Sequence, residues 1–474
     1  MVQAVITVYL KSVTSFYHKY IQTQPIGCVF TLFEFILNRF IFFLICLILF
    51  LLPLPLGSYR PWAILAIGIL TSFTFITHLT HSVLNNNQAL FPPRYSWPLF
   101  FTLSAVILVC GIQLFGVSVD AFQTKQMLLK TCFLLMLSWL IFNYCNSAER
   151  IKKLIYAVIC AGVFQALYAS YLNLSPDIVS PLFGYKHTDR AIGTFTYSNF
   201  LANYLALCLC LGIGVLISEL KRTNNGYKPT LKQTLRAWAE ILLSSKIILR
   251  ISLIIIIVAL ILTRSRMGNS AFFIALIIVS LLALFVYKQK PKAFKLLIVS
   301  FFIIDLIIIG AIFDVEKVKQ RISETSLQSE TRDEVVRDSI PLILDNPLFG
   351  SGGGTFYTAF PAFQSEPYSG YYDNAHNDYV QFAVELGIPA TALLGLLVLY
   401  CLWLCINTMR TRKTALYQGV AFGCATAIIA MMLHSSVDYS LQAGANSMLF
   451  IVVLCLAILT NKLPAPKRIK KRRS

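Results

Sequence analysis

At 474 residues the chain has the length of two or three soluble domains, but 57% of it is hydrophobic and only 13% is charged. That balance excludes a soluble globular protein and points to many apolar membrane runs. The net charge of +19 does not make it a nucleic-acid binder, because Lys and Arg fall in the short links between apolar runs, where they set membrane topology.

The N-terminal 30 residues mix polar and apolar side chains, with Lys11, His18 and Lys19 among them. They show no cleavable signal pattern and read as a segment that can lie in the membrane interface. Runs long enough to cross a bilayer follow near 40–56, 62–80, 98–116, 126–144, 154–172, 197–217, 247–263, 267–287, 294–313, 379–405, 415–434 and 443–460. Twelve spans put both termini on one side. With the N-terminus placed in the cytoplasm, 28 of the 40 Lys and Arg residues fall on the inner side, including the basic tail KRIKKRRS, which also suits anionic membrane lipid. The twelve cysteines lie mostly inside apolar runs and form no CxxC pair, so neither a disulfide framework nor a zinc site is expected.

The expected fold is an all-α integral membrane protein of about twelve transmembrane helices with one long, partly helical outer loop. Residues 1–313 form an N-terminal transmembrane region of about nine spans, 314–377 the long loop, 378–460 a C-terminal region of three spans, and 461–474 a basic cytoplasmic tail. Inside the loop, Val335, Val336, Ile340, Leu342 and Ile343 recur at helical spacing, and Asp345-Asn346-Pro347 ends the helix as a turn. Few charges are expected inside the spans beyond Asp305.

Three outer features carry the residues suited to chemistry. The tight turn TRSRMGNS at 263–270 holds Arg264 and Arg266 against the general charge bias. Guanidinium groups suit phosphate because their donors form a rigid fork, although an interfacial arginine can also simply snorkel. Arg190 stands ahead of Gly193-Thr194-Phe195 and of Tyr197-Ser198-Asn199, which opens the sixth span. It can serve an anion or be plainly solvated. His376 lies in Asn374-Ala375-His376-Asn377-Asp378-Tyr379 before the tenth span. A neutral imidazole is the best general base near neutral pH, with Asp378 or Asp373 to orient it. The same cluster can act as a helix cap, because Asn374 and Asn377 both suit a helix start. The glycines at 350 and 352–354 match no phosphate loop and read as an irregular turn. His434 and Asp438 either line the same cavity or satisfy each other. No third ligand stands near His376 to complete a metal site.

The segment DNPLFGSGGGTF…AHNDYVQFAVELGIP, the Ser265-Arg266 turn after an apolar span and Arg190 ahead of GTF…SN resemble, in that order, the O-antigen ligase and polymerase family of bacterial membrane glycosyltransferases. The resemblance covers roughly residues 185–390. It implies an inverting, metal-independent enzyme without a cofactor, which moves a glycan from a polyprenyl diphosphate carrier to a hydroxyl of a lipid or protein acceptor, at the outer face of the bacterial inner membrane. Carried over by position, Arg190 and Arg266, with Arg264 as a further choice, hold the donor diphosphate. His376 deprotonates the acceptor hydroxyl, and Asp378, Asn377 and Asn199 support. The resemblance leaves two activities open, ligation of a finished glycan and polymerisation of lipid-linked repeat units. A membrane solute transporter is the reading from another class.

Overall fold

A computed structural model of the protein describes residues 26–84, 90–175, 178–184, 190–219, 245–287, 332–365 and 372–465. Among these residues there is no β-strand, and the regular structure is helical. The N-terminal half contributes α1 (Ile26–Leu51), α2 (Pro61–Leu84), α3 (Trp97–Gln113), α4 (Ala121–Tyr144), α5 (Ala148–Leu174) and α6 (Ser198–Ser218). Then come α7 (Ser245–Leu262), α8 (Arg266–Val286), α9 (Arg332–Asp345), α10 (Asp378–Thr411), α11 (Ala415–Ser435) and α12 (Gly444–Lys462). Ten of the described helices are long and apolar enough to cross a membrane, and α7 carries a shorter apolar run at Ile247–Leu262. This is an all-α, multi-pass membrane protein.

Local sequence sets several helix starts. Asp120 caps α4 by accepting from the N–H groups of Phe122 and Gln123, and Ser147 caps α5 by accepting from Arg150 N–H. Ser265 caps α8 and Asn377 caps α10 in the same way. Packing then orders the helices by depth. In both α6 and α12, 94% of the apolar window is buried, so these two helices form the centre of the bundle. Phe43, Ile69, Phe101 and Phe285 on other helices stay exposed, as lipid-facing side chains do. Helices α6 and α11 cross with backbones in direct contact. A Cβ on Gly419 would run into the Gly214 carbonyl oxygen, and one on Gly423 into the Cys210 carbonyl. Small residues are what allow such an approach in a membrane interior.

Eleven of the twelve expected runs coincide with helices, and the run at 294–313 lies outside the described residues. The first helix starts at Ile26, well before the expected 40, and ends at Leu51, where Pro53, Pro55 and Gly57 force a turn. The segment 1–25 lies outside the described residues. The tenth run is broken at Gly387 (φ 80°, ψ 166°). A Cβ there would sit 2.5 Å from the Leu348 carbonyl oxygen, so glycine alone lets the helix part and take the loop against it.

The described part of the long insert is organised around α9 and a single helical turn at Phe356–Ala359. Val335, Leu342, Phe356, Phe360 and Val384 form a small core of their own. The inward face of α9 runs through Val335, Ser339 and Leu342, while Ile340, expected on that face, is 50% exposed.

Candidate active site

The starts of α2, α4, α6, α8, α10 and α12 and the ends of α1, α3, α7 and α11 meet at one end of the bundle, as an up-and-down order requires. Arg190, Asn199, Arg264, Arg266, His376, Asn377, Asp378, His434 and Asp438 sit at that end, whereas Asp305 lies outside the described residues.

Arg190 is half-buried against the turn between α7 and α8. Its Nε donates to the Thr263 carbonyl at 3.0 Å and its Nη2 to the Arg264 carbonyl at 3.4 Å. The turn itself is fixed by the Ser265 N–H to Thr263 Oγ1 bond at 3.2 Å and by Ala191 N–H to the Leu262 carbonyl at 3.1 Å. Arg264 takes a left-handed backbone (φ 48°), and the side chains of Arg264 and Arg266 are exposed. Neither makes an ion pair among the described residues. Three guanidinium groups therefore share one short turn.

Arg190 Nη2 also donates to Asn199 Oδ1 at 2.8 Å, and Asn199 Nδ2 donates to Asp438 Oδ2 at 2.5 Å. Asn199 is thus an amide bridge between a cation and a buried carboxylate. His434 Nε2 lies 3.6 Å from the same Asp438 oxygen, and its Nδ1 faces Asn203 Nδ2 at 2.8 Å. His434 and Asp438 face each other beyond hydrogen-bond distance, which leaves His434 Nε2 without a hydrogen-bond partner among the described residues. Burial alone would raise the Asp438 carboxyl. The nearby His434 and the bonds from the Tyr439 N–H and Asn199 outweigh that and hold it below its ordinary value.

Next to Asp438, the ring of Tyr439 stands edge-on to His376 with centroids 4.8 Å apart. Tyr372 meets the other side of the imidazole at 5.8 Å. Burial pushes the Tyr439 hydroxyl far above its usual range. His376 is half-buried and takes a left-handed backbone (φ 50°), a conformation uncommon outside glycine, Asn and Asp. The 372–377 loop is pinned from below. Asn377 Nδ2 donates to the Ser436 carbonyl at 3.0 Å, and the Asp378 N–H donates to the Asp438 carbonyl at 3.2 Å.

Asn377 thus does two jobs, as cap and as tie. Asp378 Oδ2 accepts from Ser435 Oγ at 2.9 Å and from the Leu441 N–H at 3.2 Å, so this oxygen braces the 435–441 turn. The glycine stretch is scaffold. Gln113 Nε2 donates to the Phe349 carbonyl at 2.5 Å and the Glu385 carbonyl at 2.7 Å, while its Oε1 accepts from the Gly353 N–H at 3.0 Å.

Two charged residues inside apolar runs went unremarked in the sequence, Lys130 and Glu385. Lys130 Nζ donates to the Leu441 and Gln442 carbonyls at 2.9 and 3.0 Å, and both Asp378 and Glu385 bear on its charge. An ionisable residue within a span is itself the signal that finds them. Tyr439 had no such signal, since a single tyrosine in a short link between spans looks like any interfacial one.

The many-helix membrane bundle thus gathers a cationic turn, a buried carboxylate and a loop histidine at one end. Residues 251–395 match the family model described as O-antigen ligase. The match holds Arg264, Arg266, His376 and Asp378, whereas Arg190, Asn199 and Asp438 lie outside it. The family implies an enzyme of the membrane glycosyltransferase kind, ligase or polymerase, with a lipid-linked glycan donor and an acceptor. No curated protein matches the chain.

Proposed function

We propose that the protein moves a glycan from a polyprenyl diphosphate carrier to an acceptor hydroxyl, at the outer face of the plasma membrane with both termini in the cytoplasm. One observation carries the reading. Arg190, tied to the Thr263–Arg264 turn, is joined through Asn199 to Asp438, and the neighbouring Tyr439 packs on His376. In this reading the phosphate-binding element and the general base are linked by a chain of hydrogen bonds that ends in a ring contact.

In this reading the acceptor oxygen attacks the anomeric carbon and the carbon–oxygen bond to the diphosphate breaks. The acceptor proton passes to the His376 imidazole. The leaving diphosphate gains charge as it departs, and Arg190 and Arg266 neutralise it, with Arg264 beside them. A single displacement inverts the anomeric centre. Tyr372 and Tyr439, both edge-on to the ring, hold the imidazole plane, and Asn199 sets the direction of the Arg190 fork.

The test is transfer by the purified full chain from a polyprenyl-diphosphate oligosaccharide. The His376→Ala protein, folded and monodisperse, loses transfer by several orders of magnitude, and Arg266→Ala weakens donor binding. Full transfer by the histidine variant ends the mechanism, and unchanged donor affinity ends the diphosphate role of Arg266. Surface glycans of a deletion strain separate the two activities: complete loss of attached glycan marks a ligase, retention of single repeat units a polymerase.

A further inference from the structure

Beside the arginine turn, at the same end of the bundle, the protein contains a second and quite different site. A cavity of about 460 Å³ opens between the starts of α2, α4 and α10 and the Gly354 loop. That size falls within the ~300–1,000 Å³ of small-molecule sites. Its lining is polar in an unusual way, because side-chain amides dominate it: Gln126, Gln442, Gln381 and Asn374 all face it. Its four charges balance, Arg60 and Lys130 against Asp373 and Glu385.

The cavity is built but not satisfied. Gln381 Nε2 donates to Glu385 Oε1 at 2.6 Å, and Gln381 Oε1 accepts from the Ala375 N–H at 2.7 Å, which fixes one wall. By contrast, Gln126 Nε2 and Gln442 Nε2 are buried with no hydrogen-bond partner. A buried amide donor without an acceptor is costly, and a rotation of either side chain would turn its amide to a ligand oxygen in the cavity that the residue lines. Amide donors beside carboxylate oxygens match a group that both accepts and donates, which is a hydroxyl. Balanced charge disfavours a free anion. Tyr59 adds an aromatic ring to the rim and bonds to Asn374.

We infer that this cavity binds a neutral saccharide, and that it is the acceptor-side subsite, seating the sugar whose hydroxyl attacks. The assignment to the acceptor rests on the transfer reading above. His376 follows two lining residues, Asp373 and Asn374, by three and two positions, so the loop that carries it forms part of the cavity wall. The arginine turn reaches the same loop through Asn199, Asp438 and Tyr439. The histidine thus stands where the anion-binding and hydroxyl-binding elements meet.

Sugar binding is read directly, without transfer. Saturation-transfer NMR on the full chain in detergent would use methyl glucoside, methyl galactoside, N-acetylglucosamine, glucuronate and inorganic pyrophosphate as probes. At least one neutral sugar binds, and Gln126→Glu, nearly the same shape but without the donor, weakens it about tenfold. Gln442→Glu does the same. Sugar binding is read without donor and without turnover, so failure of the transfer mechanism does not mimic failure of the site. Absence of any neutral-sugar signal, binding indifferent to both glutamate variants, or displacement of the sugar by pyrophosphate each overturns the inference. Sugar binding that persists while the Gln126→Glu protein keeps its wild-type apparent affinity for acceptor in the transfer assay overturns the acceptor assignment alone.

Discussion

Asn199 holds Arg190 and Asp438 at once, with its oxygen on the guanidinium at 2.8 Å and its nitrogen on the carboxylate at 2.5 Å. The amide suits both tasks, since it presents an acceptor to the cation and, on a separate atom, a donor to the anion. Asn199→Leu strips both partners in a buried setting, at a cost of about 1–3 kcal/mol. Thermal unfolding in detergent should show the drop. Asn199→Asp should be worse, because it sets a second carboxylate against Asp438. The Asn199→Leu, Asp438→Asn double variant should lose less than the two singles summed, as coupled partners do. Strict additivity would mean that the bridge contributes nothing.

A second expectation concerns the crossing of α6 and α11. These helices position Asn203 and His434, and they meet through Gly214, Gly419 and Gly423. Gly419→Leu should abolish folded, monodisperse protein, because its side chain has only the Gly214 backbone to displace. Gly395→Ala is the control. Nothing lies within 4 Å of a Cβ at Gly395, in the interior of α10, so alanine there should be neutral or stabilise by up to about 1 kcal/mol. Equal tolerance at both positions would refute the close-packed crossing.

The contrast between those two glycines shows where sequence reading stops. Hydrophobic runs and link charges revealed nearly every helix, because a bilayer imposes length and composition on each span separately. His376 and Arg190 were legible as polar groups at span ends, and Asn377 as a cap. Glycine pairs at 214 and 419 were not, because a close crossing depends on which faces meet. Tyr439 and Gln113 were invisible for the same reason: each acts through partners more than sixty residues away. The break at Gly387 was masked by an unbroken apolar run, since hydropathy does not register φ.

Acid should expose the Asp438 carboxylate. Its folded value lies below its ordinary one, so the folded chain favours the ionised form more than the unfolded chain does. The associated stability is complete above the unfolded value of about 3.9 and is lost as pH falls through the folded value. Asp438→Asn should therefore lower the thermal midpoint near pH 7, and the gap to wild type should narrow as pH falls from about 5 to about 3. A gap that stays constant over that range would show that hydrogen bonding by shape, not charge, is what Asp438 supplies.

Gln113 is the sharpest test of how the glycine loop is held. Its amide is fully buried and makes three bonds at once, to the carbonyls of Phe349 and Glu385 and to the Gly353 N–H. These tie the loop to the break in α10 at Gly387, whose other bond across the gap runs from the Ile388 N–H to the Pro347 carbonyl at 2.8 Å. Gln113→Leu keeps the bulk and removes every bond. The stranded carbonyls and N–H lie where water does not reach, so a loss of about 3 kcal/mol is expected. Gln113→Glu keeps the acceptor for Gly353 but turns both donors into acceptors facing carbonyl oxygens, and it should cost at least as much. Limited proteolysis supplies the local readout: cleavage within 346–355 should quicken in both variants while the α6–α12 centre stays protected. If the loop remains as resistant as in the wild type, Gln113 is not its anchor, and the loop is held instead by its own contacts to α10.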